Sequence, residues 1–303
     1  MYDILIIGAG PGGMSAAIYG ARANMSVAII DKEAPGGKVL KTDAIENYPG
    51  FNSVNGADLA SKMFEQVVNY GTEFIFGEVV KVNNFDDHKE VVMDSGEVYE
   101  AKTIIIATGN ENKKMGLDRE DYFYAKGLSY CAICDGALYK GKEMAVIGGG
   151  NSALQEALFL TNFAKKVYII HRRDQFRGES TLVDRVKSND KIELLLNYIP
   201  YSLNGDKHVT GLTIQNKLDN SLKTLDVEIV FPFIGFEPKT DFVKHLGILD
   251  EQGYVLVDEN MKTSLDGIYS VGDVNHKNLR QIVTACNDGA IAAIAIQHYL
   301  QNK

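Results

Sequence analysis

The sequence predicts an α/β chain built from two copies of one unit, in which a buried strand runs through a glycine-rich turn into a helix and then a second strand. Three observations carry that prediction. An apolar, β-branched run over residues 3–7 ends at Gly8-Ala9-Gly10-Pro11-Gly12-Gly13, and another over 144–147 ends at Gly148-Gly149-Gly150-Asn151-Ser152-Ala153. In both copies the first glycine stands 23 residues before a charged residue that ends the next apolar run, Asp31 in the first and His171 in the second. Each copy then closes on a further apolar run that stops near a glycine, 103–106 before Ala107-Thr108-Gly109 and 228–234 before Gly235. Continuous apolar runs suit strands covered on both faces, and two motifs with equal spacing are much stronger evidence than one.

In the first copy, Gly8 permits the tight turn, Gly10 lets the backbone approach a pyrophosphate, and Gly13 lets a helix over 14–23 pack close to the strand. The N–H groups of that helix then face the phosphates. Asp31 is placed to accept a hydrogen bond from a ribose 2′-hydroxyl. Turn-rich loops follow at 34–38 and 46–51, readable as ligand-facing or as plain connections. Residues 57–70 have helical spacing, and 74–83 with 89–99 alternate as strands of a small antiparallel meander turning at Asp94-Ser95-Gly96. Gly109 lies at the carboxyl end of a buried strand, where open α/β sheets place ligands. Residues 110–126 are polar and charged, suited to a crossing between domains.

The second copy repeats the helix over 154–163 but ends its next strand differently. His171-Arg172-Arg173 and then Arg177 stand where the first copy has one acid, which suits a 2′-phosphate, hence NADP rather than NAD. A solvated charged face is the ordinary fate of such a run, but its position at the ribose decides against that. A second small strand group is expected over 191–196, 209–217 and 223–227. A half-polar strand at 254–257 and a strand leading to Gly272-Asp273 come next. The chain ends in a helix over 280–299, in which Cys286 reads as packing.

Two of the three cysteines form Cys131-Ala132-Ile133-Cys134, followed by Asp135. The spacing allows a small redox-active ring, half of a zinc site, or two buried thiols without a role. The zinc reading lacks its other half, since Cys286 is alone and the six histidines are scattered. The start of the chain has no basic segment and its apolar run is too short for a signal peptide, and no run approaches the roughly 18 apolar residues of a membrane helix. A reducing cytoplasm is therefore expected, where a CxxC serves catalysis rather than as a staple. A net charge of −9 argues against a nucleic-acid surface and allows only a local basic cluster for one phosphate group.

Taken in order, GAGPGG, GGK ending at Lys38, ENYPG, ATG, CAICDG, GGGNSA, HRRDQFR, GDV and RQIVTA resemble the motifs of the low-molecular-weight, bacterial-type thioredoxin reductases, and they do so over essentially the whole chain. The resemblance implies two Rossmann-like, three-layer domains. An FAD domain of residues 1–115 and 248–303 would carry an inserted NADPH domain, 116–247, that holds the cysteines, and the molecule would be a homodimer. Electrons would pass from NADPH to FAD, to the Cys131–Cys134 disulfide and on to thioredoxin.

The site residues it implies are as follows. Gly8, Gly10, Pro11 and Gly13 would hold the FAD pyrophosphate and Asp31 its ribose. Gly36, Gly37, Lys38, Asn47, Ala107, Thr108, Gly109, Gly272, Asp273, Arg280 and Gln281 would line the rest of FAD. Gly148, Gly150, Asn151, Ser152, His171, Arg172, Arg173 and Arg177 would hold NADPH. Cys134 would face the flavin, Cys131 would attack the partner's disulfide, and Asp135 would exchange protons with them. Lys38 departs from a common glutamine, Gln155 from a glutamate and Phe236 from a histidine. The same scaffold serving another dithiol carrier, or a non-catalytic NADP-binding redox sensor, are the alternatives.

Overall fold

The first strand dictates a layered fold. Along β1 (Tyr2–Ile7), Ile4 and Ile6 belong to one buried cluster while Leu5 and Ile7 belong to another, so both faces of the strand require cover. The computed structural model describes residues 1–42, 45 and 47–302, without the side chains of Lys41 and Cys134; Glu46 of the ENYPG run therefore lies outside it. The chain divides into two compact units, Met1–Glu111 with Glu237–Lys303, and Asn112–Phe236.

In the first unit, β1 leads into α1 (Pro11–Arg22), β2 (Val27–Asp31), α2 (Gly56–Asn69), β3 (Glu73–Phe76), β4 (Val79–Asn84), β5 (Lys89–Met93) and β6 (Val98–Ile106). α1 begins at Pro11, three residues before the expected start, because proline at the first helical position loses no hydrogen bond and is already in helical φ. β1 pairs parallel with β2 and β6, and β2 pairs parallel with β3. β6 is one long strand with two jobs. Its first half pairs antiparallel with β5, and its second half lies parallel to β1 and to β16 (Ile268–Ser270). α1, α2 and α7 (Ile282–Gln301) cover one face of the sheet around Ile4, Ile6, Ile29 and Ile105. β4 and β5 cover the other through Val82, Val91 and Met93 against Leu5, Ile7 and Ile30.

The crossing strand β7 (Asn110–Asn112) leads to α3 (Glu120–Phe123), α4 (Ala132–Asp135), β8 (Glu143–Ile147), α5 (Asn151–Leu160), β9 (Lys166–His171), α6 (Ser180–Lys187) and β10 (Ile192–Leu196). Then come β11 (Tyr198–Asn204), β12 (Gly211–Asn216), β13 (Leu222–Leu225), β14 (Ile229–Pro232) and the returning β15 (Phe236–Pro238), which pairs with β7. The parallel order β10-β9-β8-β14 has the same plan as β3-β2-β1-β6. Helices α5 and α6 cover one face through Leu154, Leu160, Leu182 and Val186. The antiparallel β11-β12-β13 sheet covers the other through Leu203, Leu212, Ile214 and Leu225.

The structure departs from the sequence expectation at the same place in both copies. The expected antiparallel meander includes β3 and the expected second strand group includes β10, yet both strands pair parallel as the edge strands of the main sheets, and the sequence pattern predicts neither β11, in the second meander, nor helix α6. An edge strand is only partly covered, so β3 shows a single buried residue and its pattern resembles that of a surface meander. The half-polar strand at 254–257 amounts to isolated bridges of Val255 with Leu249 and Asn275. Among the described residues, no helix is long and apolar enough to cross a membrane.

Candidate functional site

Each glycine loop is shaped by its own sheet and then left open at one point. In the first unit Gly8 has φ +112°, and a Cβ there would lie 2.4 Å from the Ala107 carbonyl oxygen. A Cβ on Gly13 would lie 2.0 Å from the oxygen of Gly8. Gly10 differs, because among the described residues nothing beyond its own chain neighbours comes within 4 Å of the place a Cβ would occupy. The fold therefore does not require glycine at this position, and the open backbone leaves room for a ligand to approach it closely. Gly10 is also the N-cap of α1, which has no side-chain cap, whereas α2 is capped by Asn55 and α7 by a Gln281–Thr284 capping box. Uncapped first-turn N–H groups beside an open glycine fit a pyrophosphate.

The second unit repeats this geometry. Gly148 has φ +152°, with a Cβ falling 2.4 Å from the Phe233 oxygen; Gly150 again has no neighbour within 4 Å and caps α5 without a side-chain bond. These contrasts give a first expected result. Gly10→Ala retains the melting temperature of the parent protein while weakening FAD by about tenfold or more. Gly13→Ala loses roughly 1–3 kcal/mol of stability by forcing the turn apart. Thermal denaturation and the flavin content after dialysis separate the two.

At the end of β2, Asp31 does more than wait for a ribose. Its Oδ2 accepts from the Ala9 amide at 2.7 Å and its Oδ1 from Glu33 at 2.9 Å. Each oxygen retains a lone pair for a hydroxyl donor, so the carboxylate both fixes the loop and fits the nucleoside end of FAD. Gly36 donates to the Ala9 oxygen at 2.8 Å, and Gly37 lies against Gly10, its Cβ position 3.6 Å from the Gly10 Cα. The next residue, Lys38, reaches along the carboxyl edge of the sheet to Asp273 Oδ2 at 2.7 Å and Asn110 Oδ1 at 2.5 Å. Asn47 donates to Gln281 Oε1 at 3.0 Å, and Thr108 donates to the Lys239 oxygen. Gly109 has φ +67° with open space around its Cβ position.

Asp273 sits on the turn between β16 and α7. Arg280 lies before the helix rather than inside it, since α7 starts at Ile282. Its guanidinium donates to the carbonyls of Asp273 and Asn275 and stacks over Tyr254 at 4.4 Å. Beneath the turn is a residue that sequence reading missed. Asp288, buried in α7, accepts from the Gly272 amide at 2.9 Å and from Lys277 at 2.5 Å, which holds Gly272 in its φ +81° conformation and presents Asp273. An acid within an otherwise apolar helix was the available signal. Cys286 is packed as expected: its thiol lies 3.8 Å from the Pro11 oxygen and burial pushes it up from its usual range.

The charged end of β9 splits into two behaviours. His171 turns inward and is buried, its ring stacked on Phe176 and its Nε2 3.0 Å from the Gln175 oxygen. A Cβ on Gly149 would lie 2.3 Å from that ring, so the imidazole forms the wall of the glycine loop. Burial, with Arg177, Arg173 and Arg172 nearby, holds its pKa below the ordinary value. Arg172, Arg173 and Arg177 are exposed, and their side chains make no hydrogen bond or ion pair among the described residues. Asn151 and Glu179 exchange two bonds, Asn151 Nδ2 to Glu179 Oε1 at 3.0 Å and the Glu179 amide to Asn151 Oδ1 at 2.7 Å. Ser152 is exposed in the first turn of α5.

Cys131 is disulfide-bonded, while the side chain of Cys134 lies outside the described residues. The Cys131 amide donates to Ser129 Oγ at 3.1 Å, and the Asp135 amide donates to the Cys131 oxygen at 3.2 Å, closing the single turn of α4. Gly136 permits α4 to settle on α5, since a Cβ there would lie 2.6 Å from Leu160 Cδ2. Ala132, fully buried, packs in the same cluster. Asp135 is partly buried beside this turn. Glu120, which carried no sequence signal, accepts from the amides of Met115, Gly116 and Leu117 and from the Tyr130 hydroxyl, so it anchors the segment that enters the unit next to Cys131.

Residues 2–289 match the family model described as pyridine nucleotide-disulphide oxidoreductase. The chain is 46% identical over 301 residues to the thioredoxin reductase of Mycoplasma pneumoniae, covering 99% of this chain and 96% of that one. It is 42% identical to the thioredoxin reductase of Bacillus subtilis, covering 99% and 95%. Among solved structures, thioredoxin reductase from Lactococcus lactis matches over 100% of both chains, with a TM-score of 0.84 and 38% identity.

Proposed function

The chain belongs to the pyridine nucleotide-disulphide oxidoreductase family and, within it, to the bacterial-type thioredoxin reductases, and from that premise we propose how its residues divide the work. The activity is flavin-dependent reduction of thioredoxin disulfide, with FAD and NADPH as cofactors. In this proposal the Gly8–Gly13 loop, Asp31, the Gly36–Lys38 turn, Asn47, the 107–109 strand end, Gly272, Asp273, Arg280 and Gln281 bind FAD. Gly148, Gly150, Asn151 and Ser152 receive the NADPH pyrophosphate, with His171 as the wall behind them. Arg172, Arg173 and Arg177 take the 2′-phosphate. Bound FAD supplies two-electron transfer between a nicotinamide and a disulfide.

Cys134 pairs with Cys131 and faces the flavin, Cys131 attacks the disulfide of thioredoxin, and Asp135 holds the proton that the exchange moves. The observation that carries this division is the disulfide-bonded Cys131, which immediately precedes the short helix α4 in the same unit as the exposed arginines that follow β9. A cytoplasmic homodimer, free of nucleic acid, completes the proposal; the net charge of −9 supports the last point. The test is an absorbance spectrum of the purified protein, before and after NADPH and again after thioredoxin. Flavin bands that bleach with NADPH and return with oxidised thioredoxin are the expected result. A colourless protein would instead favour a redox sensor, and bleaching without recovery would favour another carrier.

A further inference from the structure

The turn between β4 and β5 brings a histidine up to two carboxylates on the outer side of the β4-β5-β6 meander. The inner side packs Val82, Val91 and Met93 into the core, so by alternation Asn83, Glu90 and Glu100 face outward. Glu90 stands directly opposite Glu100 in the antiparallel pair of β5 and β6, and Asn83 opposite Glu90 in that of β4 and β5. Like charges placed directly across a strand pair repel. Lys102, two residues beyond Glu100 on the same side, is held by Asp3 at 2.8 Å, and Glu100 itself makes no hydrogen bond or ion pair among the described residues. His88 completes the group. Its Nε2 lies 3.8 Å from Glu90 Oε1, and one ligand atom from each of His88, Glu90 and Glu100 falls within 4.8 Å of the other two.

Two of the three side chains are already aimed. Phe85 stacks on the His88 ring with centroids 4.9 Å apart. Asp87 Oδ1 lies 2.7 Å from His88 Nδ1, and an ionised carboxylate only accepts, so Nδ1 carries a proton and Nε2 is the nitrogen left to face the glutamates. Such a carboxylate–histidine pair is the usual support of a metal-ligating imidazole. Asn83 Nδ2 donates to Glu90 Oε2 at 3.0 Å, which leaves Oε1 turned to the imidazole. Ligands about 2.1 Å from a common ion stand at most about 4.2 Å apart, so a small rotation of the exposed Glu100 brings all three onto one ion. We propose that His88, Glu90 and Glu100 bind one divalent transition-metal ion, of the Zn2+ class, on the outer side of the meander. An imidazole with two carboxylates suits such an ion, whereas Mg2+ prefers oxygen ligands and keeps its waters. The ion neutralises the cross-strand pair and ties the 85–88 turn to β6.

The test is equilibrium dialysis of the full chain, oxidised and stripped with a chelator, against zinc chloride, with the bound metal measured by mass spectrometry. The oxidised state keeps the CxxC sulfurs from taking up zinc. One Zn2+ per chain is the expected result, with binding weakened by about tenfold or more in His88→Gln, in Glu100→Gln and, through Nδ1, in Asp87→Asn. Mg2+ at equal concentration is expected not to displace it. The metal-free melting temperature checks that each variant folds, and Zn2+ is expected to raise it more in the parent than in the variants. No Zn2+ uptake by the parent would overturn the inference and leave His88 as a charged partner of the two carboxylates. Uptake shared equally by His88→Gln and Glu100→Gln would overturn it as well, as would displacement by Mg2+, since the imidazole would then play no part.

Discussion

Cys134→Ser yields a protein whose flavin is still bleached by NADPH and which no longer reduces thioredoxin. In the proposed assignment the nicotinamide and flavin sites are built from the two glycine loops and their strand ends, none of which uses residue 134, so the first half of the electron path persists. The second half needs a sulfur at that position. Thiol–disulfide exchange proceeds by attack of a thiolate on a disulfide, and a serine hydroxyl can neither form the bond with Cys131 nor accept electrons by breaking it. Turnover with thioredoxin should fall by roughly three orders of magnitude or more, to background. The variant should still fold. A ring closed over two intervening residues constrains the unfolded chain little, about 2 kcal/mol by the loop-entropy estimate, and Ala132 and Gly136 keep α4 packed on α5. Stopped-flow absorbance with NADPH alone, followed by a coupled assay with purified thioredoxin, separates the two halves. Turnover retained in the variant would sink the assignment of this pair.

Arg172→Ala with Arg173→Ala weakens NADPH by about 2 kcal/mol, roughly thirtyfold in Kd, and leaves NADH within about twofold. The selectivity follows from chemistry, because the two nucleotides differ only in the 2′-phosphate, and only that group can use a guanidinium pair at the end of β9. Both arginines are exposed and hold no partner within the described structure, so their removal breaks no internal bond and the melting temperature should be unchanged. In the proposed assignment Arg177 remains as a third phosphate contact, which is why the loss is partial. Titration of each nucleotide into the oxidised protein gives both constants. Parallel losses for NADPH and NADH would show that the arginines act on the fold or the pyrophosphate and not on the 2′-phosphate.

Much of this site was legible in the sequence because glycine loops are local devices. The clashes that exclude side chains at Gly8 and Gly148, and the open space at Gly10 and Gly150, follow from a turn whose residues are contiguous, and equal spacing exposed the repeat. The strand-end charges were legible for the same reason, with one exception. His171 shares the cationic run with the arginines, yet its side of the pleat faces Gly149; alternation along β9 and the contact with Phe176 turned it inward.

The sequence by itself determined two glycine-loop units, their order, the acid and the arginines that distinguish them, and the CxxC that precedes the second glycine loop. Tertiary structure alone decided which edge strands run parallel, since β3 and β10 carry too little buried surface to declare their partners. It also decided that Asp31 binds the Ala9 and Glu33 amides, that Asp288 supports the Gly272 turn, and that Lys38 meets Asp273 across 235 residues of chain. The physical reason is the range of the interaction: a φ preference or a steric exclusion is written within a few consecutive residues, whereas an ion pair or a strand pairing depends on which distant group the completed sheet brings alongside.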